Sequence, residues 1–260
     1  MLSDLLQRSQ TVDPYSQLAT VYDHLMRHVN YRQWAIHLRR LFRRADFQVR
    51  EVLDISCGTG SLALELSHLG FGVFGFDMSH TMIEVARRKL VASTYDVPVW
   101  VASMADFGVR HAFHAIVCTY DSLNYCSSLA VCSAVLESVA GALKPGGVFV
   151  FDVSTRHNSK TNFQNYYDKE RTDHFKYIRQ SYFLPKENKQ VNEFFVTYFD
   201  GSHKTFHEHH EQKIYPIAAL RNIIQPTVFE LIGIFDGFST MPGSETSDRV
   251  HFLIKKKQSI

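Results

Sequence analysis

Val52-Leu53-Asp54-Ile55-Ser56-Cys57-Gly58-Thr59-Gly60 is the stretch that decides the fold of this chain. Val52, Leu53 and Ile55 read as a short buried strand, and the glycines close it in a tight turn. A helix opens at Ser61 and carries Leu62, Leu64, Leu66 and Leu69. Lacking Cβ atoms, Gly58 and Gly60 can take positive φ and let a ligand approach the backbone. The helix N-terminus beyond them presents free N–H groups. Strand, glycine loop and helix in that order make a nucleotide pocket at the C-terminal ends of the strands in an open α/β sheet.

The glycine spacing alone leaves the ligand open. Gly58 to Ala63 also satisfies the dinucleotide pattern G-x-G-x-x-A, with Asp77 at about the matching distance. Asp54 shifts the reading. A carboxylate at the strand end has no use beside a pyrophosphate and suits a ligand that carries an ammonium group. From Asp54 onward the stretch resembles motif I of the class I S-adenosylmethionine (SAM)-dependent methyltransferases, hh-D-x-G-x-G-x-G, with Ser56 in place of the first motif glycine. The resemblance implies that Asp54, Ser56, Cys57, Gly58 and Gly60 lie against SAM. It further implies a Rossmann-like α/β fold: a seven-stranded sheet of order 3-2-1-4-5-7-6 with helices on both faces.

Bulk properties fit one large α/β core with an insertion. The chain has 260 residues, 21% of them charged, and a net charge of +2. That balance supplies no basic field for nucleic acid, so no such partner is expected. Four cysteines without a C-x-x-C pair signal neither a zinc site nor a disulfide framework. No apolar leader and no run of 18 apolar residues occurs, so a cytoplasmic protein away from membranes is expected.

Residues 1–46 read as an N-terminal helical cap. Leu18, Val21, Tyr22, Leu25 and Met26 run at helical spacing, and a second helix carries Trp34, Ile36, Leu38, Leu41 and Phe42. The run Val21 to Met26, followed by Tyr31 and Trp34, is similar to the opening of small-molecule methyltransferases. That likeness implies a segment folded over the cofactor, with Tyr22 and Tyr31 near its methionine end. The core is expected over 47–153 and 216–260.

Phe71 to Phe76 is a second strand ending at Asp77, whose carboxylate can accept hydrogen bonds from two ribose hydroxyls. Ser79 can cap the next helix, which leaves Asp77 for a ligand, and Met78 can lie on an adenine face. After a third strand, Val97 to Val101, the resemblance implies an acidic acceptor for the adenine amino group. Asp106 fits that role, with the Met104–Ala105 backbone toward the ring. A fourth strand, Phe113 to Thr119, leads into Tyr120-Asp121-Ser122-Leu123-Asn124-Tyr125. The class I fold implies that Cys118, Thr119 and Tyr120 stand beside the transferred methyl group. Asp121, Asn124 and Tyr125 are candidates for holding the methyl acceptor, although Asp121 could equally cap a helix. The N-P-P-Y tetrapeptide of nucleic-acid and glutamine methyltransferases is absent. Leu143-Lys144-Pro145-Gly146-Gly147 is read as the turn that closes a helix before the fifth strand, Val148 to Val153.

Here the pattern changes. Residues 154–215 read as an inserted antiparallel β meander with runs at Tyr177–Leu184, Gln190–Asp200 and Lys204–Tyr215, an aromatic roof over the acceptor. The third run and the turn before it hold His203, His207, Glu208, His209, His210 and Glu211. Alternation sends Glu208 and His210 to one face and His207, His209 and Glu211 to the other. No metal set is read there. Glu208 or His210 is expected to take a proton from the acceptor or to orient it. Exposed strand edges of the insert would allow a homodimer.

The reading is an enzyme that moves a methyl group from SAM to a nitrogen or oxygen of a small molecule and leaves S-adenosylhomocysteine. The alternatives are an RNA or protein methyltransferase, an NAD(P)-dependent oxidoreductase and a non-catalytic SAM-binding protein.

Overall fold

A computed structural model describes residues 2–201 and 204–258. His203 lies outside them. In chain order the elements are α1 (Leu2–Arg8), β1 (Gln10–Val12), a 3-10 turn (Leu18–Thr20), α2 (Tyr22–Leu25), α3 (Tyr31–Arg44), β2 (Glu51–Asp54), α4 (Ser61–His68), β3 (Gly72–Asp77), α5 (His80–Val91), β4 (Val99–Val101) and β5 (Phe113–Cys118). A second 3-10 turn (Ser122–Tyr125) then leads to α6 (Leu129–Ala142), β6 (Leu143–Ser154), α7 (Arg156–Asn162), β7 (Tyr166–Arg171), β8 (Phe175–Leu184), β9 (Lys189–Tyr198), β10 (Thr205–Lys213), α8 (Ile217–Ile224), β11 (Phe229–Asp236) and β12 (Arg249–Lys256).

The strands form two sheets. The seven-stranded one runs β4-β3-β2-β5-β6-β12-β11, parallel except for β12, which is antiparallel to both neighbours. Side chains alternate between its faces, as strand geometry requires. Val52, Val117, Val148 and Val150 pack on one side with Leu38 and Leu41 of α3 and Leu62 and Leu66 of α4. Leu53, Ile116, Phe149 and Phe151 pack on the other with Val135 and Val139 of α6 and Leu220 of α8. Burial on both faces explains why β5 and β6 read as continuous apolar runs.

The five-stranded sheet runs β1-β10-β9-β8-β7. It differs from the expected three-run meander at both edges. Gln10–Val12, expected within a helical cap, is a strand paired in parallel with β10 through Gln10↔Phe206 and Val12↔Glu208. Three residues carry too little pattern to announce a strand, and the distant partner creates it. β7 is the other edge. Its charged residues alternate between half-buried and exposed, a muted signal. Leu143 to Gly147, expected as a turn, already belongs to β6, where Leu143 pairs with Phe113. Leu18 and Val21 pack on Phe175, Tyr177 and Val196, which ties the N-terminal segment to the second sheet.

Candidate functional site

A cavity of about 340 Å³ opens at the C-terminal ends of β2, β3 and β5, the place that the parallel topology prepares for a ligand. Gly58 and Gly60 hold φ of +52° and +82°, and the space beside Gly58 is open where a Cβ would stand. Asp77 fixes the loop. One carboxylate oxygen accepts from the Gly58 N–H at 3.0 Å and the other from the Ser79 N–H at 2.9 Å. Burial raises its pKa against those two N–H groups, which work to lower it. Asp54 lines the cavity and accepts from the Ser56 N–H at 3.1 Å. Burial lifts its carboxyl to about 7, with the Ser56 N–H opposing and the charge of Asp77 adding. A buried carboxyl facing a cavity without a cationic partner is suited to a cationic ligand group.

A polar clasp fastens the N-terminal segment over this loop. Asp23 of α2 accepts from the Thr59 hydroxyl at 2.6 Å and from Lys89 Nζ at 2.7 Å, and Lys89 also donates to Ser61 Oγ at 2.7 Å.

A larger cavity of about 730 Å³ lies between the N-terminal segment, the end of β5 and the second sheet. Tyr15, Tyr22, Tyr120 and Tyr125 line both cavities. Tyr120 and Asp121 hold φ of 63° and 62°, two consecutive left-handed residues that are not glycine. Asp152 holds the strained turn by accepting from the Tyr120 N–H at 2.7 Å and the Asp121 N–H at 3.0 Å. Arg249 of β12 ion-pairs with Asp152 and, at 2.8 Å, with Asp121. Its guanidinium carbon lies 5.2 Å from the ring centres of Trp34 and Tyr120.

A hydrogen-bonded chain runs from two of these tyrosines into the second sheet. Tyr15 Oη and Tyr125 Oη are 2.7 Å apart, Tyr125 Oη is 3.0 Å from His210 Nδ1, and His210 Nε2 is 2.9 Å from Glu208. Glu208 also accepts from the backbone N–H groups of Tyr15, Gln17 and Leu18 at 2.6, 2.8 and 2.8 Å. Burial works to raise its pKa, and His210 with those N–H groups brings it below the usual carboxylate range. Burial holds the Tyr15 and Tyr125 phenols well above theirs, so both stay neutral donors.

Of the residues expected against SAM, Tyr22, Tyr31, Asp54, Ser56, Cys57, Gly58, Asp77, Met78, Met104, Ala105 and Thr119 line the smaller cavity together with Tyr120 and Tyr125. Gly60 stands behind the loop as the N-cap of α4. Three expectations, those for Asp106, Cys118 and Asn124, need correction, and Asp121, Glu208 and His210 are engaged in other bonds. Asp106 is exposed and lies outside the lining, because its turn bridges back to Ser103 and carries the side chain outward. Cys118 is fully buried behind the wall, against Ser56 and Met104. Asn124 is fully buried and its amide is consumed by Lys213 O and the Ser154 N–H, a structural role. Asp121 faces the larger cavity but is bound to Arg249. Glu208 and His210 share a face, yet both are buried and line neither cavity; they touch it through Tyr125 and Tyr15. On the other face His207 pairs with Glu193 at 2.7 Å, and among the described residues no metal-holding group of His, Cys, Asp and Glu occurs. Sequence reasoning passed over Asp23 inside the Val21 to Met26 run and missed Tyr15, Lys89, Asp152 and Arg249. No local pattern marks them, apart from a turn at Asp13-Pro14 that precedes Tyr15.

Residues 52–147 match the family model described as Methyltransferase domain. YqeM of Bacillus subtilis, a protein provisionally named a methyltransferase, is 28% identical over 95% of this chain and 98% of its own. The dTDP-3-amino-3,6-dideoxy-alpha-D-glucopyranose N,N-dimethyltransferase of Streptomyces fradiae is 32% identical over 54% of each chain. A crystal structure of a SAM-dependent methyltransferase from Clostridium acetobutylicum superposes with a TM-score of 0.80 at 22% identity, over 94% of this chain and 99% of that one. These likenesses turn the dinucleotide alternative aside. Among the described residues no helix is long and apolar enough to cross a membrane.

Proposed function

Because the chain is a class I SAM-dependent methyltransferase, we propose that it methylates a nitrogen or oxygen of a small molecule seated in the larger cavity. The observation that carries this reading is the set of tyrosines common to both cavities. Two cavities share Tyr15, Tyr22, Tyr120 and Tyr125, so a cofactor in one and an acceptor in the other meet at four phenol rings. The amino-sugar N,N-dimethyltransferase relative supports nitrogen.

In this reading Asp54 holds the cationic amino-acid end of SAM, Asp77 accepts from its ribose hydroxyls, and the Met104–Ala105 backbone meets the adenine. Tyr22 and Tyr31 cover the methionine end. When bound, SAM supplies a methyl group already activated by the sulfonium. The chain's own task is then alignment and water exclusion, which for well-oriented reactants is worth about 7–11 kcal/mol. The clasp of Asp23, Thr59 and Lys89 keeps the N-terminal segment closed over the loop.

An ammonium or hydroxyl acceptor must also lose a proton. With Glu208 ionised, His210 donates from Nε2 to Glu208 and accepts at Nδ1 from Tyr125, which accepts in turn from Tyr15. Tyr15 Oη can then take a proton from the acceptor while each phenol passes its own along. The proton ends on His210 as an imidazolium beside the Glu208 carboxylate, and no phenolate forms. Glu208 and His210 are thus the expected proton-accepting pair, acting through two tyrosines. The test is S-adenosylhomocysteine release with SAM and a panel of primary amines, amino sugars and phenols, wild type beside Tyr125→Phe. The reading predicts turnover on at least one class, with the acid limb of the variant's pH profile displaced. Turnover on none of them, with SAM bound, would sink it.

A further inference from the structure

The larger cavity contains an arginine whose surroundings resemble half of a binding site. Arg179 on β8 lines it, with its guanidinium carbon 5.1, 5.1 and 5.4 Å from the ring centres of Phe163, Tyr166 and Phe194. Two of its five donors are used. Nε donates to Ser181 Oγ at 3.1 Å and one Nη to Asn192 Oδ1 at 2.9 Å. Ser181 and Asn192 are themselves buried and hydrogen-bonded to each other at 2.7 Å, so the fork is held in one orientation. Three donors remain without a described protein acceptor.

The other arginines of the neighbourhood are committed. Arg27 pairs with Glu170 at 3.1 Å, and Arg249 pairs with Asp121 and Asp152. Asp168 lies opposite Arg179 in the β7–β8 register and faces the same cavity, yet makes no ion pair with it. Arg179 is half-buried, and no ion pair neutralises it among the described residues. A pre-oriented fork with free donors matches the two oxygens of a carboxylate or phosphate group.

We propose that Arg179 is the anion-reading residue of the acceptor cavity, and that the methyl acceptor carries an oxyanion, carboxylate or phosphoryl, away from its methylated atom. This rests on the methyltransferase reading of the larger cavity. The aromatic rings around Arg179 then flank the body of the acceptor, and the tyrosines common to both cavities receive the end that reacts.

The experiment uses full-length protein loaded with S-adenosylhomocysteine and titrates it calorimetrically with inorganic pyrophosphate and, separately, with benzoate. The two probes distinguish a phosphoryl from a carboxylate source. At least one is expected to saturate on wild type. Arg179→Gln is expected to weaken it by about tenfold or more, and Arg179→Lys, which keeps charge but loses the fork, by about three- to tenfold. Both variants should bind S-adenosylhomocysteine as wild type does. Arg179→Lys carries the test should Arg179→Gln fail to fold. The proposal is overturned if neither probe saturates on wild type, or if the variants bind the probes as wild type does. Oxyanion binding that depends on Arg179 in a protein that never binds S-adenosylhomocysteine would uphold this site and remove the methyltransferase reading instead.

Discussion

Asp54→Asn separates the stability of the pocket from its use. Asp54 is 1% exposed, and burial carries its carboxyl from 3.8 to about 7. The unfolded chain gives up this proton near pH 4 and the folded chain near pH 7. Between those values the folded state holds a proton that the unfolded state has released. The contribution of this group to stability is therefore full below pH 4 and is lost as pH rises through 7. A tenfold change in proton affinity is worth about 1.4 kcal/mol, so the loss reaches about 4 kcal/mol at most by pH 8. Asparagine has the shape of the neutral acid and no charge to desolvate. In ligand-free protein, Asp54→Asn should raise stability by about 1–2 kcal/mol at pH 5 and by about 4 kcal/mol at pH 8. Urea denaturation at the two pH values reads this directly. The same variant should lose SAM affinity by about tenfold or more at pH 8, since the cationic end of the ligand finds no counter-charge. Wild-type affinity should rise from pH 6 to pH 8 as Asp54 ionises, and that rise should vanish in the variant. A variant no more stable than wild type at pH 8 would refute the account of burial. Undiminished SAM affinity would refute the role assigned to the carboxylate.

Gly75→Ala places a Cβ 2.8 Å from Cys57 Cβ and 3.1 Å from its Sγ. It should destabilise the protein by about 1–3 kcal/mol and weaken SAM binding, because Cys57 belongs to the cofactor loop; denaturation and calorimetry on one sample check both, and unchanged stability contradicts the packing. Arg249→Met leaves Asp152, fully buried, without its counter-charge and frees the strained turn at Tyr120 and Asp121. A loss of about 3 kcal/mol is expected by denaturation, with part of it recovered when Asp152→Asn is added, and a loss within experimental error goes against the ion cluster as the turn's support.

The parts of the fold legible in the sequence are those whose signals are local. β2, the glycine loop and α4 announce themselves within eighteen residues because an apolar run, turn glycines and helical periodicity follow one another without a gap. The runs of β8, β9 and β10 are legible through aromatic alternation and the Pro185-Lys186-Glu187-Asn188 turn. β1 and β7 are not, since each is an edge strand made by its partner. The site divides along the same line. Asp54 and Asp77 sit at strand ends where a motif marks them. Arg249 meets Asp121 across 128 residues of sequence, and Tyr15 meets Tyr125 across 110, so only the folded chain brings them together. Alternation correctly put Glu208 and His210 on one face. It could not tell that Tyr125 stands between them and the cavity.

The central claim is that the smaller cavity holds SAM through Asp77 and its loop. The most direct measurement is calorimetric titration of wild type and Asp77→Ala with SAM, S-adenosylhomocysteine and NADH in parallel. The account predicts that both adenosyl ligands bind wild type, that NADH does not, and that Asp77→Ala weakens both by about tenfold or more. NADH binding, or an Asp77→Ala variant that holds SAM as tightly as wild type, would contradict it.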